Sequence, residues 1–259
     1  MERLGNHYKK TGISINALRT WGLLFLAAGI IGRGVIQNHI LGFTGLNTQQ
    51  MLDVMTTSET AMNYATLSIA LQALETCAAP IYAVLLVEGV VHTSDFIKYF
   101  TRILGMAIIT EIPYNLAMGS GLLDFSSRNP MFSLVLGLLV MFFYQRYAGK
   151  GIKNLFVKVL VTIAALLWVE MLTIEFGTPM LVIIVALWCA RGKGIYRNFI
   201  GASAAIACSI LSPFFLAAPM SFLAIHMCNW EKLEENRAVN YLSYPALLLL
   251  AFAVGKFLF

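Results

Sequence analysis

Charge is scarce in this chain. Of its 259 residues only 12% are Asp, Glu, Lys or Arg, 59% are hydrophobic, and the mean hydropathy is +0.76. Soluble domains carry about 25% charged residues, so this composition excludes a water-facing surface around one or two ordinary cores. No polar stretch is long enough for a separate soluble domain, and no linker, internal repeat or low-complexity segment interrupts the pattern. Residues 1–259 therefore read as a single integral-membrane domain. Cysteine is also sparse. Cys77, Cys189, Cys208 and Cys228 lie singly in apolar runs without a Cys-x-x-Cys pair, which argues against a disulfide framework or a metal site and for small buried apolar residues. The sequence has no phosphate-binding glycine loop, zinc motif, Gly-x-Ser-x-Gly elbow or haem motif. His39, His92 and His226 lack ligand spacing, so no metal is expected.

What the chain does have is a succession of apolar runs near the length needed to cross a bilayer, roughly 20 residues each. Nine helices are expected, over about 20–46, 61–91, 99–118, 131–146, 155–174, 178–190, 198–212, 214–229 and 241–259. The fold class is all-α, a polytopic transmembrane helix bundle. The first run lacks a small-residue cleavage site and is followed by many further runs, unlike a signal peptide. With the N-terminus in the cytoplasm, 15 of the 18 Lys and Arg residues fall on the inner side; Arg33, Arg128 and Lys256 fall elsewhere. That is the positive-inside pattern. It implies a multi-pass protein of a cytoplasmic membrane with the lipid bilayer as its first partner. The net charge of +5 is spread over five loops rather than gathered in an aromatic-studded patch, so no nucleic acid is expected.

Ionisable groups within spans are costly and mark function by default. Arg33, His39, Glu75, Glu88, Glu111, Glu170, His226 and Lys256 form this set, with Asn63, Gln72, Asn115 and Asn129 as polar company. Glu88 and His92 lie four apart and share a helix face. A carboxylate beside an imidazole fixes its tautomer and raises its basicity, a general-base arrangement; a structural hydrogen bond at a helix end is the plainer reading of that spacing. Glu111 precedes the Pro113 kink, with Asn115 one turn on. Such groups either satisfy the backbone freed by the kink or serve chemistry. Arg33 stands between Gly32 and Gly34, where it can hold an anion or pair with Glu75 or Glu111. Arg19, with Lys9 and Lys10, marks the start of the first helix and can attract a phosphorylated molecule as well as signal topology. The run Met141-Phe142-Phe143-Tyr144 reads as lipid-facing or interfacial.

Residues 80–144 carry a more specific signal. They read Pro80-Ile81-Tyr82 through Val87-Glu88-Gly89 to His92-Thr93, then Arg102, Thr110-Glu111-Ile112-Pro113-Tyr114-Asn115-Leu116-Ala117 and Asn129-Pro130-Met131-Phe132 through Leu136-Gly137-Leu138-Leu139. This resembles the TraX family, named for a conjugal-transfer protein that N-acetylates F pilin. Glu175-Phe176-Gly177 and Tyr244-Pro245 resemble that family's later "DYG" and "YP". The resemblance implies an integral-membrane acyltransferase that moves an acetyl group from acetyl-CoA, as co-substrate from the cytoplasm, to an amine, such as a peptide or pilin-like N-terminus, or to a hydroxyl. It implies His92, oriented by Glu88, as the catalytic or substrate-positioning pair. Glu111, Asn115, Asn129 and Arg33 would bind substrate in a polar cavity, and Arg19 would hold the cofactor end. The sequence departs from the family at two places: Gly29-Ile30 stand where members carry Asp-His, and Leu247 stands where the final motif carries His. Those departures keep a second reading in play, a non-catalytic accessory of a conjugation, secretion or envelope system. A third is a small-molecule transporter with Glu75, Glu111 and Arg33 as its relay.

Overall fold

The computed structural model describes residues 12–258 apart from 57, 120, 123, 125 and 231–236; Arg3, Lys9, Lys10 and Lys232, counted above among the basic residues, lie outside the described residues. Among the described residues the architecture is all-helical, with no strand beyond two isolated bridges. Helix α1 (Ile15–Ile30) starts earlier than its apolar run because Ser14 caps it, accepting the Ala17 N–H at 3.2 Å. It passes directly into a π-helical segment, Ile31–Ile40, that carries Arg33. Such wide turns recur at functional sites. The exposed helix α2 (Thr48–Thr56) has no apolar run behind it and was not expected.

The expected single helix over 61–91 is two helices, α3 (Glu59–Glu75) and α4 (Ala78–His92). Pro80 has no N–H for the Thr76 carbonyl, and the Ala79 N–H takes that carbonyl instead at 3.2 Å. The break leaves Thr76 free to donate its hydroxyl to the carbonyls of Ala73, at 2.7 Å, and Phe214, at 3.0 Å. Helices α5 (Phe96–Met118), α6 (Met131–Arg146), α7 (Ile152–Met171) and α8 (Gly177–Cys189) follow close to expectation. The runs expected as helices over 198–212 and 214–229 differ from it. Only α9 (Ile195–Ala207) and the six-residue α10 (Ser221–His226) are α-helical; between them run tight i→i+3 turns that contain Pro213 and Pro219, which cannot donate to a helix ladder. The chain ends in α11 (Arg237–Leu258).

Three helical stretches are long and apolar enough to cross a bilayer: Ile15–Ile40, Glu59–His92 and Ile152–Met171. Shorter apolar helices surround them. The core sits between α4, α6 and α8, where Ile81, Ala83, Leu138, Ile183, Ile184 and Leu187 are fully buried. Met141, expected to face outward, belongs to that core, whereas Phe142 and Phe143 are exposed. Helix α7 buries only Ala165 and Val169 and exposes Leu155, Phe156, Leu160, Ile163, Leu167 and Trp168. A face like that is tolerated in lipid and not in water. Three of the four cysteines are buried as expected; Cys189, at the end of α8, is exposed.

Contacts define two ends of the bundle. One gathers the start of α1, the end of α4 and the starts of α5 and α9. Here Arg197 pairs with Glu88, Phe96 packs on Phe142, and Ile13 bridges Cys228. The other end joins the π-helical turn to the loops before α6 and α8, through Asn38 on the Met118 carbonyl and the Arg128–Ile174 bridge. Most of the described Lys and Arg residues belong to the elements and loops of the first end; Arg33, Arg128 and Lys256 do not.

Candidate functional site

A cavity of about 850 Å³ opens at the basic end. Its mouth is made by Asn16, Arg19 and Thr20 of α1, by His92 at the end of α4, and by Asp95, Lys98 and Arg102 at the start of α5. Three fixed cations face one carboxylate there. The Asp95 carboxyl caps α5, and the Lys98 backbone N–H, at 3.0 Å, with the Lys98 ammonium, at 3.1 Å, holds it below its usual range. Its capping contribution is therefore present above the ordinary carboxylate range and lost as pH falls through the lowered value. The inner end is largely apolar, with Leu26, Ala78, Met131, Leu134, Phe176 and Met180, and Tyr244 brings a hydroxyl to it. Ala78 and His92 line opposite ends of the cavity, and helix rise puts them about 20 Å apart along α4.

His92 is thus an entrance residue. Its side chain is 54% exposed, and Nδ1 lies 2.9 Å from the Glu88 carbonyl and 3.5 Å from the Glu88 carboxylate. The expected pair does meet, but Glu88 also binds Arg197, whose guanidinium stands over the Trp230 ring. Arg19 is at the mouth as expected.

Glu111 and Asn129 come together, yet neither they nor Asn115 line the two cavities described here. Glu111 accepts from Arg128 at 2.8 Å and from the Asn129 amide at 2.6 Å, and Asn129 also donates to the Ala107 carbonyl at 3.0 Å. This network ties the α5–α6 connection onto α5 beside Pro113, which has no N–H for the helix ladder. Asn115 donates to the Leu122 carbonyl at 3.4 Å. Expected as cavity-lining residues, these three line neither of the two cavities; Glu111 and Asn129 are engaged at the α5–α6 connection, while Asn115 Oδ1 is buried without a hydrogen-bond partner among the described residues. Glu111→Ala is expected to lower stability by about 2 kcal/mol, because it removes the acceptor of the Arg128 and Asn129 side-chain hydrogen bonds. Thermal unfolding in detergent checks this, and ligand affinity of the folded fraction should stay as in the parent.

A second cavity, of about 410 Å³, lies on the far side of Phe176. Arg33, Gln72, Thr76, Glu170, Glu175, Thr178 and Ser212 give it a polar wall, and Phe176 lines both cavities. Phe176 holds a left-handed backbone, φ 56°, just before Gly177 opens α8. A non-glycine residue in that region marks a local constraint. Glu175 beside it binds Arg33 through one oxygen and accepts from the Tyr114 hydroxyl at 2.9 Å through the other. Tyr114 also meets Ser127 Oγ at 2.9 Å. The second terminal nitrogen of Arg33 is 3.7 Å from Glu75. Arg33 therefore pairs with Glu75, as one reading of the sequence allowed, and with Glu175 rather than Glu111. Sequence reasoning gave Glu175 only a motif resemblance and left Tyr114 and Tyr244 without a role. The available signal was a carboxylate stranded between two apolar runs. His39 does not join this group; its ring packs against Gly255 of α11. Among the described residues no group of three or more His, Cys, Asp and Glu side chains is placed to hold a metal.

The polar cluster sits near mid-depth. Gly29, level with Glu75, is about 20 Å along the first helix from its start. A half-buried guanidinium beside two carboxylates, one of which also accepts from a phenol, lines the second cavity; charged groups at such a position bind charge. A family model described as TraX protein matches residues 35–254. No curated protein and no solved structure matches the chain.

Proposed function

From the premise that the chain belongs to the TraX family, we propose that it is an integral-membrane acetyltransferase whose donor and acceptor enter from opposite ends of the bundle. In this reading nine crossings place the N-terminus and the basic end in the cytoplasm of a bacterial inner membrane. Acetyl-CoA lies along the first cavity, and an amine, such as a peptide or pilin-like N-terminus, reaches the second. The observation that carries it is the pair of cavities separated by Phe176. One has a cationic mouth and an apolar floor, which suits a phosphorylated nucleotide carrying a slender thioester arm. The other is walled by Glu170, Glu175 and a single arginine, which suits an ammonium group.

Arg19, Lys98, Arg102 and His92 hold the phosphates. The acetyl carbonyl reaches the floor at Phe176 and Tyr244. The acceptor nitrogen attacks the carbonyl carbon, so an N–C bond forms and the C–S bond breaks. Having entered as an ammonium, the nitrogen loses one proton to solvent before the attack and a second to the Glu175 carboxylate as the amide forms; Glu175 returns its proton to solvent, and CoA leaves as a thiolate that takes one up. Arg33 and the Tyr114 hydroxyl set the position of Glu175. General-base help of this kind contributes typically 10²–10⁴-fold.

Under this assignment His92 serves the donor, with Glu88 and Arg197 as its support. Titration of acetyl-CoA into the purified protein by calorimetry tests the reading, with His92→Ala in parallel. Saturable binding is expected, and His92→Ala should raise KM for acetyl-CoA about tenfold, the loss of one charge-assisted hydrogen bond, with kcat retained. A fall in kcat at unchanged KM would return His92 and Glu88 to the general-base role that the sequence alone suggests. A folded protein that binds no acetyl-CoA would favour the non-catalytic accessory.

A further inference from the structure

Glycine at position 29 has a neighbour that explains it. Glu75, from α3, lies so close against α1 that a Cβ built on Gly29 would collide with the Glu75 carboxyl group. A side chain at 29 and the carboxylate of Glu75 therefore compete for one volume. That volume adjoins Arg33, one turn further along the same helix, whose second terminal nitrogen is 3.7 Å from Glu75 Oε2. Glu75 is nearly fully buried, 3% exposed in its side chain, and its Oε2 has no hydrogen-bond partner among the described residues. A buried carboxylate is retained only where a charge or donor compensates it, and Arg33 is the cation beside it.

We propose that Glu75 is a positioning residue for the transfer: α3 delivers a carboxylate into the space left open by Gly29, where it anchors Arg33 through one terminal nitrogen while Glu175 holds the other. The inference rests on the acetyltransferase reading for its effect on rate, and on geometry alone for its effect on Arg33. With both nitrogens engaged, the guanidinium cannot swing about its long, flexible stem, and Glu175 keeps one orientation at the partition. With Glu75 neutral, the guanidinium turns wholly to Glu175 or rotates toward the second cavity, to which it is already partly open. Because the anchor occupies a shared volume, it can be supplied from either helix. An aspartate at 29 would collide with Glu75, and an aspartate at 29 with alanine at 75 would restore one carboxylate beside Arg33.

The experiment uses the full chain in detergent and has two readouts. Transfer from acetyl-CoA to a small peptide amine gives kcat and KM. The rate at which phenylglyoxal modifies Arg33, followed by peptide mass spectrometry, reports the anchoring of that side chain whether or not the protein is an enzyme. Glu75→Gln preserves shape and is expected to speed modification of Arg33 at least threefold and to lower kcat about tenfold at unchanged KM for acetyl-CoA. Gly29→Asp is expected to lower both kcat and the unfolding temperature. Gly29→Asp with Glu75→Ala should recover most of the slow Arg33 modification and most of the kcat lost in Glu75→Ala. Parent-like Arg33 reactivity in Glu75→Gln, or a double variant no better than Glu75→Ala, would overturn the inference. A parent protein that transfers no acetyl group would overturn the enzymatic reading instead, and the Arg33 measurements would still decide whether Glu75 is its anchor.

Discussion

Glu175→Gln is expected to reduce acetyl transfer by about 10²–10⁴-fold, the range that a positioned general base supplies, while KM for acetyl-CoA stays within about twofold. The amide keeps the shape of the carboxylate, so the packing beside Phe176 is retained. It cannot accept the proton that the acceptor nitrogen must lose. It also leaves the Arg33 guanidinium with Glu75 as its only carboxylate partner in the cluster. Steady-state kinetics against both substrates checks this. A parent-like kcat would show that Glu175 takes no part in proton transfer and would move attention to the mouth, where Glu88 and His92 meet. Loss of the folded protein would instead identify the Arg33–Glu175 pair as structural, which the unfolding temperature reveals directly.

Reversing two charges at the mouth, Lys98→Glu with Arg102→Glu, is expected to weaken acetyl-CoA binding at least 100-fold. Each cation that bonds a phosphate contributes about 1.5–3 kcal/mol as a charge-assisted hydrogen bond, and each reversal adds repulsion. The substitutions lie at the water-facing start of α5, where Lys98 is largely exposed, so the fold should survive them. Calorimetry at two salt concentrations checks the assignment. The parent's affinity should fall with added salt, as expected for contacts in a solvated mouth, and the variant's should fall much less. An unchanged affinity would exclude this mouth as the nucleotide's seat.

The residues differ in how openly they announced their roles. Arg33 was conspicuous because a cation in an apolar run between two glycines is costly in lipid. Its partners were not, since Glu175 lies 142 positions away and nothing local links the two. Glu88 and His92 were found by helix spacing alone, and the structure brings them together. Glu111 and Asn129 also meet, 18 positions apart, yet as a brace for the α5–α6 connection rather than a cavity wall. Spacing predicts which groups share a face, not what lies beyond that face.

By itself the sequence determined that this is a chain of apolar helices, because hydrophobic runs follow from transfer energies that act on local segments; three of its helical stretches are long enough to cross a bilayer. It also carried the family, through a motif dense enough to recognise over residues 80–144 and matched over 35–254. Tertiary structure decided the rest. It broke the second helix at Thr76, cut the 214–229 helix down to Ser221–His226 behind turns around Pro213 and Pro219, set Phe176 between two cavities and brought Glu75 into the space beside Gly29. Those outcomes depend on which helices pack together and how closely, and a volume shared between two helices is a property of neither one's sequence.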